Sequence, residues 1–144
     1  MLDNAMMKAY VAHSYSDMKQ QSAVIDTIIL VLEQLDIECV VFTRKYASFK
    51  INQEKEMMSL VFQEIERVNL LVVEMSVKRV GIGVEVGYAA ACGIPILYLC
   101  KVGSDHSTTI GGTASKKLVY KDAVDLRCKL SAAVGELLDM SVGN

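Results

Sequence analysis

The chain is expected to form an α/β domain built on a doubly wound, five-stranded parallel sheet with the flavodoxin- or Rossmann-like strand order 2-1-3-4-5. Three observations lead there. Short runs rich in Val, Ile and Leu alternate with longer amphipathic segments, the pattern of strands joined by helical crossovers. The short runs are apolar almost throughout, as strands covered on both faces are. Right-handed crossovers then leave few topologies. The length of 144 residues suits one domain, residues 1–144, with no internal repeat, linker or low-complexity tail.

The elements follow in order. "KAYVAH" reads as a first buried strand. "SYSDMKQQSAVIDTIILVLEQLD" carries Val24, Ile28, Leu32 and Leu35 at helical spacing, with Ser14 or Ser16 as candidate cap. "IECVVF" is the second strand. The loop "TRKYASFKINQ" is polar and irregular, with Tyr46 and Phe49 expected at the surface. The helix "EKEMMSLVFQEIERV" places Met57, Met58, Val61, Phe62 and Ile65 on one side, as core. "NLLVVEM" is the third strand, and "GVEVGYAAAC" a short helix of small residues that Gly93 would stop. "PILYLC" is the fourth strand, opened by Pro95 where a missing N–H does least harm. The polar segment "KVGSDHSTTIGGTASKK" separates it from a fifth strand, "LVYKD", and a closing helix, "AVDLRCKLSAAVGELLDM".

Composition narrows the function. The net charge is only −2 and basic residues are scattered, which argues against a nucleic-acid polymer as partner but leaves room for a small anion. Cys39, Cys92, Cys100 and Cys128 form no CxxC pair and no set with histidine at metal-ligand spacing. They are expected to be buried, reduced and structural. No metal or other cofactor is expected. The start "MLDNAMMKAY" carries an acid where a signal peptide places positive charge, so a cytoplasmic location is expected. Val80 to Cys100 has the length of a membrane span. Glu85, four glycines and Pro95 within it argue for a helix followed by a strand instead.

In open parallel sheets ligands bind beyond the carboxyl ends of the strands, where the strand order reverses. Three polar segments are expected there: "HSYSD", "SVKRVGIGVE" and "KVGSDHSTTIGG". In the second, Gly81 and Gly83 allow tight turns and close ligand approach. Glu85 is expected in the first turn of the following helix, where the dipole would keep its carboxylate ionised and ready as nucleophile or base; an ordinary helix-start acid is the plainer reading. The hydroxyls and glycines of "GSDHSTTIGG" can offer donors to a phosphate or form a plain surface loop. His13 reads as a satisfied strand-end residue and His106 as a solvated one. Lys78 and Arg79 are either a solvated pair or contacts for an anionic substrate.

Taken together, "NLLVVEMSVKRVGIGVEVGYAAACGIPILYL" resembles the nucleoside 2-deoxyribosyltransferase superfamily, with its "G-x-G-x-E-x-G" helix start. "KAYVAHSYSD" resembles that superfamily's first strand and substrate loop. "GSDHSTTIGGTASKKLVYKD" is similar to the branch that hydrolyses 2′-deoxynucleoside 5′-monophosphates. The similarity runs from about Lys8 to Leu130. It implies Glu85 as the catalytic nucleophile attacking C1′ and Tyr10 near the sugar. Ser14 would lie close to the phosphate, Gly81 and Gly83 would shape the sugar pocket, and Ser107 would contact phosphate, in that branch within the neighbouring subunit's site. It also implies a homodimer or larger homo-oligomer.

Two departures concern the group that would protonate the leaving base. Some transferases have an aspartate where this chain has Arg79, and relatives often begin the third strand with aspartate where this chain has Asn69. The "RKYASFK" loop is the alternative source.

The expected activity is N-glycosidic cleavage of (deoxy)nucleoside 5′-monophosphates through a glycosyl-enzyme. The alternative is base exchange between deoxynucleosides by a nucleoside 2-deoxyribosyltransferase. A TIR-like NAD glycohydrolase fits "YVAHSYSD" but not the glycine-flanked glutamate. A non-catalytic nucleotide-binding module would bind without turnover.

Overall fold

A computed structural model describes residues 6–14 and 18–142, without the side chains of residues 18–20 and 140–142. Five strands, β1 (Met7–Ala12), β2 (Ile37–Val40), β3 (Leu70–Glu74), β4 (Ile96–Lys101) and β5 (Lys116–Tyr120), form one sheet in the order β2-β1-β3-β4-β5. Every pairing is parallel. The predicted topology is the observed one. The helices are α1 (Met18–Gln34), α2 (Phe42–Lys45), α3 (Glu54–Glu66), α4 (Val80–Ala91), α5 (Thr108–Thr113) and α6 (Ala123–Val142).

Strand side chains alternate between faces, and the two cores divide accordingly. Ala9, Val11, Leu70, Val72, Leu97 and Leu99 pack with Ile25, Ile28 and Leu32 of α1 and Leu126, Leu130 and Val134 of α6. On the other face Tyr10, Ala12, Leu71, Val73, Ile96 and Tyr98 pack with Val61 and Ile65 of α3, Ile82, Val86 and Ala89 of α4, and Ile110 of α5. A fully buried aliphatic side chain contributes about 1.5–3 kcal/mol, so these two layers hold the helices against the sheet.

Several local expectations change. Leu35 lies beyond α1 and is exposed, and the turn runs through Asp36 at φ 60°. The strand expected over 37–42 stops at Val40, and Phe42 opens α2. Tyr46 and Phe49 are half-buried rather than exposed, because their rings pack on Phe42 at centroid distances of 4.7 and 5.9 Å. A 3-10 turn over Ile51–Gln53 leads into α3. Gly93 stops α4 as expected. It takes φ +74°, and the N–H groups of Gly93 and Ile94 close onto the carbonyls of Ala90 and Ala89.

The four cysteines are free, but only Cys100 is buried. Cys39 is half-buried, and Cys92 and Cys128 are exposed. A wide apolar composition does not place every small residue inside; these two fall at the end of α4 and on the outer side of α6. Burial, reinforced by Glu33 and Glu38, pushes the Cys39 thiol up to about 12, so it carries no thiolate reactivity near neutrality. Among the described residues no helix is long and apolar enough to cross a membrane. The apolar run that raised the question divides into α4 and β4.

Candidate active site

The carboxyl ends of β1, β2, β3 and β4 lead into 13–14, α2, 75–79 and 102–107, and these segments converge with α4 along one edge of the sheet. Tyr10, near the end of β1, is 1% exposed and faces the α3–α4 layer. Its hydroxyl donates a hydrogen bond to the Glu85 carboxylate. The two residues line one small pocket with Ala12, His13, Phe42 and Thr43.

Glu85 is not in the first turn of its helix. The helix begins three residues before the predicted GVEVG start, with Arg79 as N-cap, so Gly81 and Gly83 are helical and Glu85 lies in the second turn. The dipole acts over the first turn; at Glu85, burial prevails. Burial pushes the carboxyl up from 4.5 to about 7, against the opposing pull of the Tyr10 hydroxyl. Burial thus works against the ionised form that the helix dipole was expected to favour, and it brings the carboxyl into the range where a proton can be taken or released near neutrality.

The two glycines are helical rather than part of the tight turn expected for them. Gly81 stands one turn before Glu85 on the same helix face. A Cβ built at Gly81 or Gly83 would meet nothing within 4 Å. What the missing side chains leave is open space beside the carboxylate and an uncovered stretch of backbone. The amides of Val80, Gly81 and Ile82 precede the first intrahelical bond, Gly83 N–H to the Arg79 carbonyl at 3.4 Å, so they are free to face an anion.

A second cleft, of about 360 Å³, adjoins that helix start and is lined by Met75, Lys78, Arg79, Gly83, Ser107 and Ile110, among others. Arg79, on its wall, donates its Nε–H to Ser14 Oγ at 3.3 Å. Ser14 is 1% exposed and serves this contact; Ser16, the other candidate cap for the first helix, lies outside the described residues. Lys78 Nζ pairs with Asp105 at 2.9 Å. Ser107 is fixed twice: its N–H donates to the Tyr98 hydroxyl at 3.1 Å, and its Oγ accepts from Ile110 N–H at 3.3 Å. The segment read either as a phosphate-binding nest or as a plain surface loop contains the short helix α5, capped by Ser107. A Cβ at Gly111 would lie 3.0 Å from the His106 ring, close enough that the ring would have to shift slightly. His106 itself is exposed.

The structure thus brings Tyr10 and Glu85 into one pocket and Gly83 and Ser107 into the next. Arg79 links Ser14 to the second, and Gly81 shares the helix start. Asn69 is elsewhere: its Oδ1 accepts from Lys8 N–H at 2.9 Å, at the opposite edge of the sheet. Sequence reasoning undervalued His13 and passed over Thr43, which line the Glu85 pocket and contact each other, Nε2 to Oγ1, at 3.2 Å. No sequence signal joins residues thirty positions apart on separate strand ends. The "RKYASFK" loop is held by a buried acid. Glu64 receives Tyr46 Oη at 2.6 Å and Lys45 Nζ at 2.7 Å. Burial pushes the Glu64 carboxyl up, but these two bonds outweigh it and hold it below its ordinary value. Among the described residues no group of three or more His, Cys, Asp or Glu side chains is arranged to hold a metal ion.

No family model matches this chain and no curated protein matches it. Solved structures do. The chain is similar to the CMP N-glycosidase BcmB of Clostridium botulinum, at 20% identity and a TM-score of 0.65 over 85% of this chain and 97% of that one. It is similar to BlsM at 20% identity and a TM-score of 0.74, over 96% and 95% of the two chains. A 2-deoxyribosyltransferase from Bacillus psychrosaccharolyticus is 13% identical, with a TM-score of 0.67 over 83% and 90%. At these identities the likeness is one of fold.

Proposed function

We propose that this chain is an N-glycosidase that cleaves the base–sugar bond of (deoxy)nucleoside 5′-monophosphates, with Glu85 as nucleophile. The observation that carries this reading is the arrangement along α4: a half-buried carboxylate poised near pH 7, one turn beyond free amides that open onto a basic cleft. From Gly81 to Glu85 is roughly 6 Å along the helix, about the reach from a 5′-phosphate to the reacting face of its sugar. Similarity in fold to a CMP N-glycosidase and to a 2-deoxyribosyltransferase supports the same reading.

In this mechanism the first-turn amides of α4, Arg79 and the Ser107 hydroxyl take the phosphate, with Ser14 orienting Arg79. Tyr10 holds the Glu85 carboxylate by donating to it. One Glu85 oxygen bonds to C1′ as the C1′–N bond breaks, and the base leaves with that bonding pair. Water then releases the sugar phosphate from the glycosyl-enzyme. Phosphate contacts remote from C1′ hold the reacting atoms in line, which is where remote binding energy accelerates a reaction.

The test is base release from a panel of nucleoside 5′-monophosphates and free nucleosides. We expect turnover of phosphorylated substrates and a loss of roughly 10³-fold or more in Glu85→Gln. Undiminished turnover in that variant removes Glu85 from the mechanism. Base exchange on unphosphorylated deoxynucleosides without hydrolysis of monophosphates replaces the reading with a deoxyribosyltransferase.

We also propose that two copies pair through α4. Its inner face, Ile82, Val86 and Ala89, is buried, yet the outer positions Val80, Val84, Gly87 and Ala91 are exposed and also apolar. A helix apolar on both faces is suited to burial on both.

A further inference from the structure

Two residues of the Glu85 pocket take no part in the steps above. His13 directly follows β1, Thr43 lies in α2, and both line that pocket with Glu85. The imidazole is held at both nitrogens: Nδ1 lies 3.0 Å from the Ser14 carbonyl oxygen and Nε2 lies 3.2 Å from Thr43 Oγ1. A carbonyl only accepts, so Nδ1 carries the proton and donates it there. In the neutral ring Nε2 is then the acceptor, and the Thr43 hydroxyl donates to it. At 3.2 Å this bond is long for a hydroxyl donor, so a better-placed O–H can take it over.

The same pair also lines a chamber of about 100 Å³, with Ser22, Ile25 and Arg44 among its other walls. A water molecule needs roughly 10–15 Å³ of such space and polar groups to bond it. The chamber has room for several, and the hydroxyl and guanidinium groups of its walls supply the bonds. Glu85 does not line it. His13 and Thr43 therefore stand between the reacting carboxylate and a supply of water.

We propose that His13 is the general base of the second half-reaction, taking a proton from the water that releases the sugar phosphate from Glu85. The proposal rests on the reading of Glu85 as nucleophile. Displacement leaves the sugar bonded to Glu85 on the face opposite the departed base, so water enters from the side the base has vacated. The chamber behind His13 delivers it there. The water's proton moves to Nε2 as its oxygen bonds to C1′, and the C1′–Oε bond breaks with its electron pair returning to the carboxylate. The imidazolium gives its proton to solvent, and the base, which left with its bonding pair, takes one. The bond from Nδ1–H to the Ser14 carbonyl strengthens while the ring is positive, which supports the charge.

The experiment is quenched-flow base release from CMP, UMP, AMP and GMP and their deoxy counterparts, using wild type, His13→Gln and His13→Asn. In both variants kcat should fall by about 10²-fold or more. Their kcat/KM should stay within about threefold of wild type, because base departure precedes the step that needs His13. Base should appear as a burst approaching one equivalent per active site, and intact-protein mass spectrometry should find the sugar phosphate attached. Sodium azide, a nucleophile with no proton to lose, should restore turnover in a folded variant. An unchanged kcat, a parallel fall of kcat and kcat/KM without a burst, or a loss that azide does not restore overturns the role of His13 and leaves the glycosidase intact. No base release by wild type from any of these nucleotides overturns the glycosidase itself, and this inference with it.

Discussion

Glu85 shows how one side chain's chemistry depends on where its helix starts. The helix starts three residues earlier than expected, Glu85 passes from the first turn to the second, and the dominant influence passes from helix dipole to burial. If ionised Glu85 is the nucleophile, kcat/KM should climb about tenfold per pH unit below 7 and level off above it, as measured by base release between pH 5 and 9. A flat profile over that range would count against the carboxylate.

The same shift has a consequence for stability, and the sign is fixed by linkage. An acid whose folded pKa is raised binds its proton more tightly in the folded state. Its contribution to stability is thus full below 4.5 and lost as pH rises through about 7. Glu85→Gln should therefore match wild type in denaturant melts at pH 4.5 and exceed it, by on the order of 1–3 kcal/mol, at pH 8. A variant that is catalytically impaired yet more stable at high pH is the signature of a functional acid held against its own hydration.

At the scale of elements, α4 carries the argument. Glycine in a helix costs about 0.5–1 kcal/mol relative to alanine, and nothing packs against Gly81 or Gly83 that would require it. Their cost is understandable if a ligand fills the space. Gly83→Ala should raise Tm by a few degrees while lowering kcat/KM for phosphorylated substrates. A gain in Tm with unchanged kinetics would make the glycine incidental. The existence and order of α1, α3 and all five strands were legible from the alternation of apolar and amphipathic runs, though α1 ends before Leu35 and β2 stops at Val40. Elements were misread where side chains give no period: α4 begins in small residues, and α2 forms because Phe42 turns into the core beside Tyr46 and Phe49.

For the whole molecule, pairing through α4 predicts a concentration-dependent dimer by light scattering, converted to monomer by Val84→Asp. A monomer at all concentrations in the wild type rules the pairing out. The alternation of apolar runs and amphipathic segments, with the handedness of crossovers, determined the sheet and its order before any coordinates, because burial on both faces and chain chirality admit few alternatives. The motif around Glu85 and the segments carrying Tyr10, Ser14 and Ser107 were also readable one by one. Only the tertiary structure decided that Tyr10 bonds Glu85, that Arg79 holds Ser14, and that His13 and Thr43 border the Glu85 pocket. Those relations depend on where separate strand ends come to lie in space, and burial and proton affinity are set there, across the sheet edge, rather than along the chain.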